Sequence, residues 1–346
     1  MLQEKGHEVV TAAPEDAYSA RLEKLVDEHH PIAMSNAGTS PLQDFILFCR
    51  YVRLLKKLKP AVMLGYTIKP NVYGSFACRL LGIPIINNVS GLGTVFIKRN
   101  WMTLIAKMLY RQAFKFSSCV FFQNDEDRAL FIREKLVSAS KTELLPGSGI
   151  DLKHYQPRPK QPEDTIRFVL IARMLWDKGI GEYVDAARIV KKRHPHAIFH
   201  LLGPHGIANR TAITPDQIQS WAEEGVINYL GESDDVRDII AENDVVVLPS
   251  YREGMSRVLL EGLAMGTPLI ATNVPGCKHT IDEGVNGFLC HLKDAEDLSN
   301  KMIDFIKLSP EERTKMGQAS RRKAEKEFDQ QIVLDAYLNK IESLIQ

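Results

Sequence analysis

Cysteine is scarce in this 346-residue chain, and the few cysteines are scattered. They are Cys49, Cys78, Cys119, Cys277 and Cys290. Their odd number and the lack of a CxxC pair argue against a disulfide framework or a zinc site and favour reduced thiols in a cytoplasmic protein. Long apolar runs and a secretory signal are also missing: no stretch reaches about 18 consecutive apolar residues, and no basic segment precedes an apolar one at the start.

The composition instead suits two globular domains. With 346 residues, 45% of them hydrophobic, the chain exceeds one average domain and suits two α/β domains with separate cores. Residues 1–160 hold 22 Lys and Arg against 14 Asp and Glu, a net charge of +8, whereas residues 161–346 hold 22 against 29, a net charge of −7. A basic half suggests an anionic partner, such as a membrane, a phosphate or a nucleic acid.

Strand and helix patterns alternate along both halves, which predicts open parallel sheets covered by helices. We expect strands in the second half at residues 166–172, 197–202, 226–230, 245–249 and 268–272. We expect helices there at residues 181–193, 215–224, 236–242, 257–265, 295–307 and 310–346. The first half predicts strands at residues 62–64, 84–89 and 119–123 and helices at residues 44–58, 71–81 and 101–116.

These elements predict two Rossmann-like domains joined by a polar, proline-containing segment. We assign residues 1–155 to the N-terminal domain, 156–165 to a linker and 166–325 to the C-terminal domain. We expect residues 326–346 to form a terminal helix, which either stays with the C-terminal domain or crosses back to the N-terminal domain. The chain opens on a pattern typical of the second strand of a Rossmann unit, so we expect the N-terminal domain to lack its first strand and glycine-rich turn.

The strongest motif pairs Glu253 with Glu261, directly after a predicted buried strand. Ligands of open α/β sheets bind at the carboxyl ends of the strands, where this turn lies. The N–H groups of Gly254, Met255 and Ser256 would point outward at a helix start and bind an anion. Glu261, about two turns later, suits a ribose diol, and Glu253 suits a sugar ring. The alternative is an ordinary helix start with surface glutamates.

A second motif, Arg173 with Lys178, begins where the strand at residues 166–172 ends. A fork-shaped donor and a point charge that converge suit a diphosphate, and they would stabilise the charge that develops as it leaves. The alternative is two solvated charges in a loop. Two glycine-containing segments, residues 273–276 and 284–289, favour a scaffold role over chemistry.

Together these motifs resemble glycosyltransferase family 4, also called glycosyltransferase group 1. The matching segments are R-x4-KG at residues 173–179, LPS-x2-EG-x6-E at 248–261, NV-x-G at 273–276 and EGVNGFL at 283–289. The likeness is specific over about residues 150–330 and looser before them. It implies an α/β protein of the GT-B fold, with two Rossmann-like domains facing across a cleft, and a retaining transfer from a nucleotide sugar.

By this resemblance, Arg173 and Lys178 hold the diphosphate of a UDP-sugar, Glu253 contacts the donor sugar and Glu261 the ribose. The other donor contacts would be Gly254, Met255, Ser256 and Val258, with the base near Gly231 and Val236. The resemblance implies no metal cofactor, because arginine and lysine take the role that Mg²⁺ has elsewhere.

Two segments of the first half, YTIKPN at residues 66–71 and SGLG at 90–93, resemble a subgroup that acts on undecaprenyl-diphosphate sugars. That subgroup includes N-acetylgalactosaminyltransferases. The likeness implies a polyprenyl-diphosphate glycan acceptor, held by Lys69 and contacted by Ser90 and Gly91, in lipopolysaccharide or capsule synthesis. Many members of the family carry a His where this chain has Ser90, so no general base is assigned. Lys69 is alternatively a solvated loop lysine.

Residues 96–116 mix five basic side chains with apolar ones such as Trp101, Leu104 and Met108. A basic amphipathic helix of this kind can lie on an anionic surface, so we expect peripheral attachment to the inner face of the cell membrane. The alternative is a helix that buries its apolar face in the domain core. Nucleic-acid binding is not expected, because no recognised motif accompanies the charge and no aromatic platform interleaves with it.

Two other functions remain open on the sequence alone. An enzyme like UDP-N-acetylglucosamine 2-epimerase, or a glycogen-type phosphorylase, has a similar fold, although the arginine–lysine and double-glutamate motifs argue against the epimerase. A catalytically impaired nucleotide-sugar-binding homologue is favoured by the missing first strand and by Ser90.

Overall fold

A computed structural model describes residues 2–16, 18–34, 40–92, 101–159, 165–207 and 209–345. The chain divides into two compact units. The first comprises Met1–Phe122, Arg128–Leu144 and Asp335–Gln346, and the second comprises Gln123–Asp127 and Leu145–Leu334. The second unit therefore begins before the linker expected at residues 156–165, and the end of the chain belongs to the first unit.

Strands and helices alternate before residue 145, close to the predicted positions. The strands are β1 (Val10–Ala13), β2 (Glu28–Pro31), β3 (Met63–Tyr66), β4 (Ile85–Val89), β5 (Cys119–Phe122) and β6 (Thr142–Leu144). The helices are α1 (Ser19–Leu22), α2 (Pro41–Leu58), α3 (Ser75–Leu81), α4 (Trp101–Phe114) and α5 (Asp125–Arg133). A π-helical turn, Pro70–Gly74, precedes α3.

The strands of the first unit form two parallel sheets. One is the pair β1–β2, and the other has the order β3-β4-β5-β6.

The second unit is built on one parallel sheet of order β12-β11-β10-β7-β8-β9. Its strands are β7 (Arg167–Ile171), β8 (Ile198–Leu202), β9 (Asn228–Tyr229), β10 (Val245–Leu248), β11 (Leu269–Thr272) and β12 (Gly287–Cys290). The remaining helices are α6 (Ile180–Arg193), α7 (Pro215–Glu223), α8 (Arg237–Glu242), α9 (Arg257–Ala264), α10 (Ala295–Lys307), α11 (Pro310–Glu327) and α12 (Gln330–Ile345).

The centre of this sheet is apolar on both faces. All residues of β10 and β11 are buried, as expected of strands covered by helices on each side. Phe168 of β7 stacks on Phe199 of β8 with ring centroids 5.0 Å apart, and α6 packs Tyr183 and Val190 into the same core. This packing fixes the carboxyl ends of the strands, from which the predicted site loops depart.

The single helix predicted over residues 310–346 is wrong, because the chain breaks between α11 and α12. Phe328 is buried, and its carbonyl oxygen accepts the Ile150 N–H at 2.8 Å. The Gln330 N–H then donates to the Ile150 carbonyl oxygen at 3.0 Å. This exchange of backbone hydrogen bonds with a distant segment replaces two helical ones.

Among the described residues, no helix is long and apolar enough to cross a membrane.

The five cysteines are all free, and every one except Cys49 is buried. Burial raises the pKa of the Cys277 thiol far above its usual range, and the charge of Glu253 adds to this effect. Cys277 is therefore a protonated core residue.

Candidate active site

The predicted donor residues leave neighbouring strands of the six-stranded sheet at its carboxyl edge. Arg173 and Lys178 follow β7, and Glu253 follows the adjacent strand β10. Gly276 follows β11, on the other side of β10. Because all these strands are parallel, the loops that carry the motifs start from one edge.

Lys178 and Glu253 form an ion pair at this edge. The Lys178 Nζ lies 2.5 Å from Glu253 Oε1, and their side chains are only 20% and 14% exposed. Lys178 belongs to a single 3-10 turn, Trp176–Lys178, directly before α6. Partial shielding from water strengthens such a pair relative to a surface one. The alternatives of a solvated loop lysine and a surface glutamate do not fit these two residues.

Close backbone packing holds the Lys178 loop against the loop after β10. The Tyr251 N–H donates to the Asp177 carbonyl oxygen at 2.9 Å. Gly179 has a left-handed φ of 73°, and a Cβ on it would lie 2.1 Å from the Pro249 carbonyl oxygen. Only glycine permits this approach, so the glycine of the R-x4-KG motif sets the position of Lys178.

The loop after β11 supports the Glu253 turn from the other side. The Glu253 N–H donates to the Pro275 carbonyl oxygen at 3.3 Å. Gly276, with a φ of 77°, packs so closely that a Cβ would lie 2.5 Å from the Gly254 carbonyl oxygen. The segment at residues 273–276 thus acts as scaffold for the turn.

The start of α9 differs from the sequence expectation. The Ser256 N–H is not free as predicted, because it donates to the Gly276 carbonyl oxygen at 3.2 Å. Ser256 is the N-cap residue, and its side chain makes no capping hydrogen bond. The N–H groups without an intrahelical acceptor are therefore those of Arg257, Val258 and Leu259. The N–H groups that could bind an anion therefore start at Arg257, one residue further along the chain than Ser256.

Glu261 is buried within α9, with 8% of its surface exposed. Its Oε1 accepts hydrogen bonds from the Tyr155 hydroxyl at 3.0 Å and from Arg257 Nε at 3.1 Å. Neither partner was predicted from the sequence. The four-residue spacing from Arg257 to Glu261 carries a helical signal, but Tyr155 lies too far away in the sequence to be foreseen. Burial raises the pKa of Tyr155, as does the charge of Glu261, so Tyr155 remains a neutral donor.

Arg173 is exposed and makes no side-chain hydrogen bond or ion pair with any residue that the structure describes. It stands two residues after the end of β7, at the same edge as Lys178. Gly203, which follows β8, packs against Ala172, the residue before Arg173. A Cβ on Gly203 would lie 1.9 Å from the Ala172 carbonyl oxygen. Arg173 is thus an exposed cation that has no ionic partner in the described part of the chain and stands beside a tightly packed backbone.

Gly231 and Val236 lie after β9, the edge strand of the sheet. The Gly231 carbonyl oxygen accepts the Gly203 N–H at 2.7 Å, and a Cβ on Gly231 would meet nothing within 4 Å. Val236 is the N-cap residue of α8. The expected base-binding segment therefore belongs to the same edge, on the side of β7 away from Glu253.

Asn286 and Gly287, in the second glycine-containing segment, have a structural role. The Asn286 side chain is fully buried and donates to the Thr280 carbonyl oxygen at 2.9 Å. A Cβ on Gly287 would lie 2.0 Å from the Leu269 carbonyl oxygen.

Among the residues with described positions, no three His, Cys, Asp or Glu side chains are grouped so that they could hold a metal ion.

The predicted acceptor residues of the first unit follow adjacent strands. Lys69 follows β3, whereas Ser90 and Gly91 follow β4. Lys69 is not a solvated loop lysine, because its Nζ lies 2.9 Å from Asp44 Oδ1 and both side chains are about 15% exposed. Lys69 lines a cavity of about 620 Å³ together with Arg50. Ser90 is exposed, and Gly93 of the same motif lies outside the described residues.

Helix α4 has two different apolar faces. Tyr110, Ala113 and Phe114 are buried in the core of the first unit. Leu104 and Met108 are 68% and 56% exposed. The core alternative therefore holds for one face of α4, and the opposite face is exposed; the basic residues at positions 98 and 99 lie outside the described residues.

The positive charge near α4 is only partly neutralised. Lys107 Nζ pairs with Glu134 Oε2 at 3.2 Å. Arg111 donates to the backbone carbonyl oxygens of Glu134 and Lys135, so no carboxylate neutralises it in these contacts. Arg79 lies over the Phe116 ring, 4.9 Å from its centroid.

Sequence comparison places these features in a family. The model described as "Glycosyl transferases group 1" matches residues 153–323, and the model "Glycosyl transferase 4-like" matches residues 1–124. A Campylobacter jejuni N,N'-diacetylbacillosaminyl-diphospho-undecaprenol alpha-1,3-N-acetylgalactosaminyltransferase is 27% identical, over 100% of this chain and 93% of that protein. An Escherichia coli UDP-Gal:alpha-D-GlcNAc-diphosphoundecaprenol alpha-1,3-galactosyltransferase is 25% identical, over 76% and 71%.

Solved structures show the same fold. HepE of Anabaena in complex with UDP-glucose matches with a TM-score of 0.80 and 19% identity, over 96% of this chain and 91% of that one. A glycosyltransferase from Rickettsia africae matches with a TM-score of 0.79 and 17% identity, over 100% and 92%. The fold is GT-B, as predicted, and the chain belongs to the group 1 glycosyltransferases.

Proposed function

We propose that the protein is a retaining glycosyltransferase that moves an N-acetylhexosamine or hexose from a UDP-sugar to a polyprenyl-diphosphate-linked glycan. The observation that carries this proposal is the shielded Lys178–Glu253 pair at the carboxyl edge of the sheet. The names of the relatives support the acceptor class, and the UDP-glucose complex of HepE supports the donor class. The process served would be lipopolysaccharide or capsule synthesis, at the inner face of the cell membrane.

In this proposal, cations and a helix start bind the donor diphosphate. Lys178 and the exposed Arg173 supply positive charge, and the N–H groups of Arg257, Val258 and Leu259 supply hydrogen bonds. Glu261 accepts the ribose hydroxyls through Oε2, since Tyr155 and Arg257 occupy Oε1. These groups stabilise the diphosphate most when it carries the charge of a leaving group, so they would need no metal cofactor.

The transfer step then occurs on one face of the donor sugar. The bond from the anomeric carbon to the diphosphate oxygen breaks, its electron pair stays on that oxygen, and the carbon gains oxocarbenium character. The acceptor hydroxyl attacks from the face that the diphosphate leaves, and a phosphate oxygen takes its proton. Glu253 contacts the sugar throughout, and the anomeric configuration is retained.

The first prediction tests this reaction directly. The protein is incubated with UDP-sugars and an undecaprenyl-diphosphate sugar, and UDP release and product mass are measured. We expect a product one sugar heavier with the α configuration by NMR, at a rate that EDTA changes less than about twofold. Glu253→Ala should lower the rate at least about 100-fold, whereas Glu223→Ala, at an exposed glutamate of α7, should not change it.

Four results would contradict the proposal. An inverted product excludes retention, and loss of activity with EDTA excludes the metal-free reaction. Tight nucleotide binding without UDP release from any donor favours the impaired homologue. Formation of an epimerised nucleotide sugar without acceptor favours the epimerase.

The second prediction concerns the exposed face of α4. We infer that Leu104 and Met108 insert into a bilayer whose anionic headgroups attract Arg111 and the cations near it. Leu104→Glu with Met108→Glu should lower binding to vesicles that contain anionic lipid by about tenfold or more, because two buried apolar contacts are lost and negative charge is added. Sedimentation with the vesicles measures this.

Leu25→Glu is the matched control, because Leu25 is 63% exposed in the first unit and lies outside α4. It should bind vesicles like the wild type. Equal binding by the α4 variant and the control would contradict the membrane proposal, and so would equal binding of the wild type to neutral and anionic vesicles.

A further inference from the structure

Ser250 contacts the proposed sugar-binding glutamate and has no role in the mechanism above. It lies two residues after the end of β10 and is fully buried. Its Oγ is 2.7 Å from Glu253 Oε1 and 3.2 Å from the Asp177 carbonyl oxygen. Both neighbours are acceptors, so the single hydroxyl proton can be donated to only one of them.

The geometry favours donation to Glu253. The Asp177 carbonyl oxygen already accepts the Tyr251 N–H at 2.9 Å. Glu253 offers a charged acceptor at the shorter distance, and hydrogen bonds to carboxylates are shorter and stronger than those between neutral groups. Glu253 Oε1 therefore receives two donors, the Ser250 hydroxyl and Lys178 Nζ.

The second oxygen of the carboxylate is left available. Glu253 Oε2 has no hydrogen-bond partner among the described residues. We propose that Ser250 is a positioning residue, which holds Glu253 so that Oε2 accepts a hydroxyl of the donor sugar. This inference rests on the proposed function, because it assumes that Glu253 contacts the sugar.

Lys178 alone cannot hold the Glu253 carboxylate in position once the donor is bound. The incoming diphosphate attracts the Lys178 ammonium and competes with Glu253 for it. Ser250 is neutral and buried, so the diphosphate does not draw its hydroxyl away. Ser250 then keeps the carboxylate in position while Lys178 turns to the phosphate.

Thr272 offers a matched control at the same place. Its Oγ1 donates to the Ser250 backbone carbonyl oxygen at 2.5 Å, and its side chain is fully buried. Thr272→Val removes a hydroxyl that supports the same loop without touching Glu253. Damage to the loop in general should appear in this variant as well.

The experiment is a double-mutant cycle on the full chain, with Ser250→Ala and Glu253→Ala alone and combined. Affinities for UDP-sugar and for UDP are measured by calorimetry, together with kcat/KM for transfer. We expect Ser250→Ala to lower kcat/KM by about 10- to 100-fold. It should weaken UDP-sugar binding but not UDP binding, and in the Glu253→Ala background it should have no further effect on UDP-sugar affinity.

A structural role would give other results. The positioning role is wrong if Ser250→Ala lowers the affinities for UDP and for UDP-sugar equally, as general damage to the loop in Thr272→Val would. It is also wrong if Ser250→Ala lowers the UDP-sugar affinity as much in the Glu253→Ala background as in the wild type. An unchanged kcat/KM in Ser250→Ala also overturns it. If Ser250→Ala does not fold, Ser250→Cys keeps the shape with a weak donor and should show the same selective loss of UDP-sugar affinity. A wild type that transfers no sugar from any UDP-sugar instead contradicts the proposed function itself.

Discussion

Replacing Lys178 or Arg173 by alanine is expected to lower the turnover number by about 100- to 1,000-fold each, the range found when one preorganised donor to a developing charge is removed. Both residues lie at the edge where the leaving diphosphate would bind, and Lys178 is shielded there by its pair with Glu253. UDP release at saturating donor and acceptor measures the effect. Near-normal turnover in either variant would contradict the assignment of that cation.

The two variants should differ in stability, although both lose activity. Arg173 is exposed, and its side chain makes no hydrogen bond or ion pair with a described residue, so Arg173→Ala should melt like the wild type. Lys178→Ala removes one of the two donors to Glu253 Oε1 and leaves a largely buried carboxylate with only the Ser250 hydroxyl to compensate its charge. A lower melting temperature is expected for it. Lys192→Ala, at an exposed lysine of the adjacent helix α6, is the control and should change neither property.

Local patterns were sufficient to predict most of the second unit. The apolar runs that became β7 and β10 are long enough to specify buried parallel strands, and helix α10 has the predicted bounds. Lys178 and Glu253 were both assigned to the donor site because the loops after parallel strands start from one edge, but the ion pair that joins them at 2.5 Å was not predicted.

Contacts between distant segments were not predictable in this way. Tyr155 reaches Glu261, and Asp44 reaches Lys69, without any local pattern that announces the pairing. The Ser256 N–H was predicted to be free. Its acceptor, the Gly276 carbonyl oxygen, belongs to the loop after β11, and no local pattern places that loop beside Ser256. The break at Phe328 has the same origin, since the local sequence is helical and the competing hydrogen bonds come from Ile150.

The last prediction tests whether the backbone approach at Gly179 positions the cation beside it. An alanine there must adopt a left-handed φ of 73° and place its Cβ 2.1 Å from the Pro249 carbonyl oxygen. The left-handed conformation costs about 1–2 kcal/mol for an L-residue, and overpacking adds about 1–3 kcal/mol. Gly179→Ala should therefore lower the free energy of unfolding by about 2–5 kcal/mol, measured by denaturant titration.

Gly225→Ala separates the two contributions. Gly225 has nearly the same φ, 75°, but a Cβ on it would meet nothing within 4 Å, so only the conformational cost of about 1–2 kcal/mol applies. Because relief of the clash at Gly179 must move the Lys178 loop away from Pro249, the folded fraction of Gly179→Ala should also lose turnover, whereas Gly225→Ala should keep it. Equal losses of stability in the two variants, with full turnover in both, would show that close packing at Gly179 does not position Lys178.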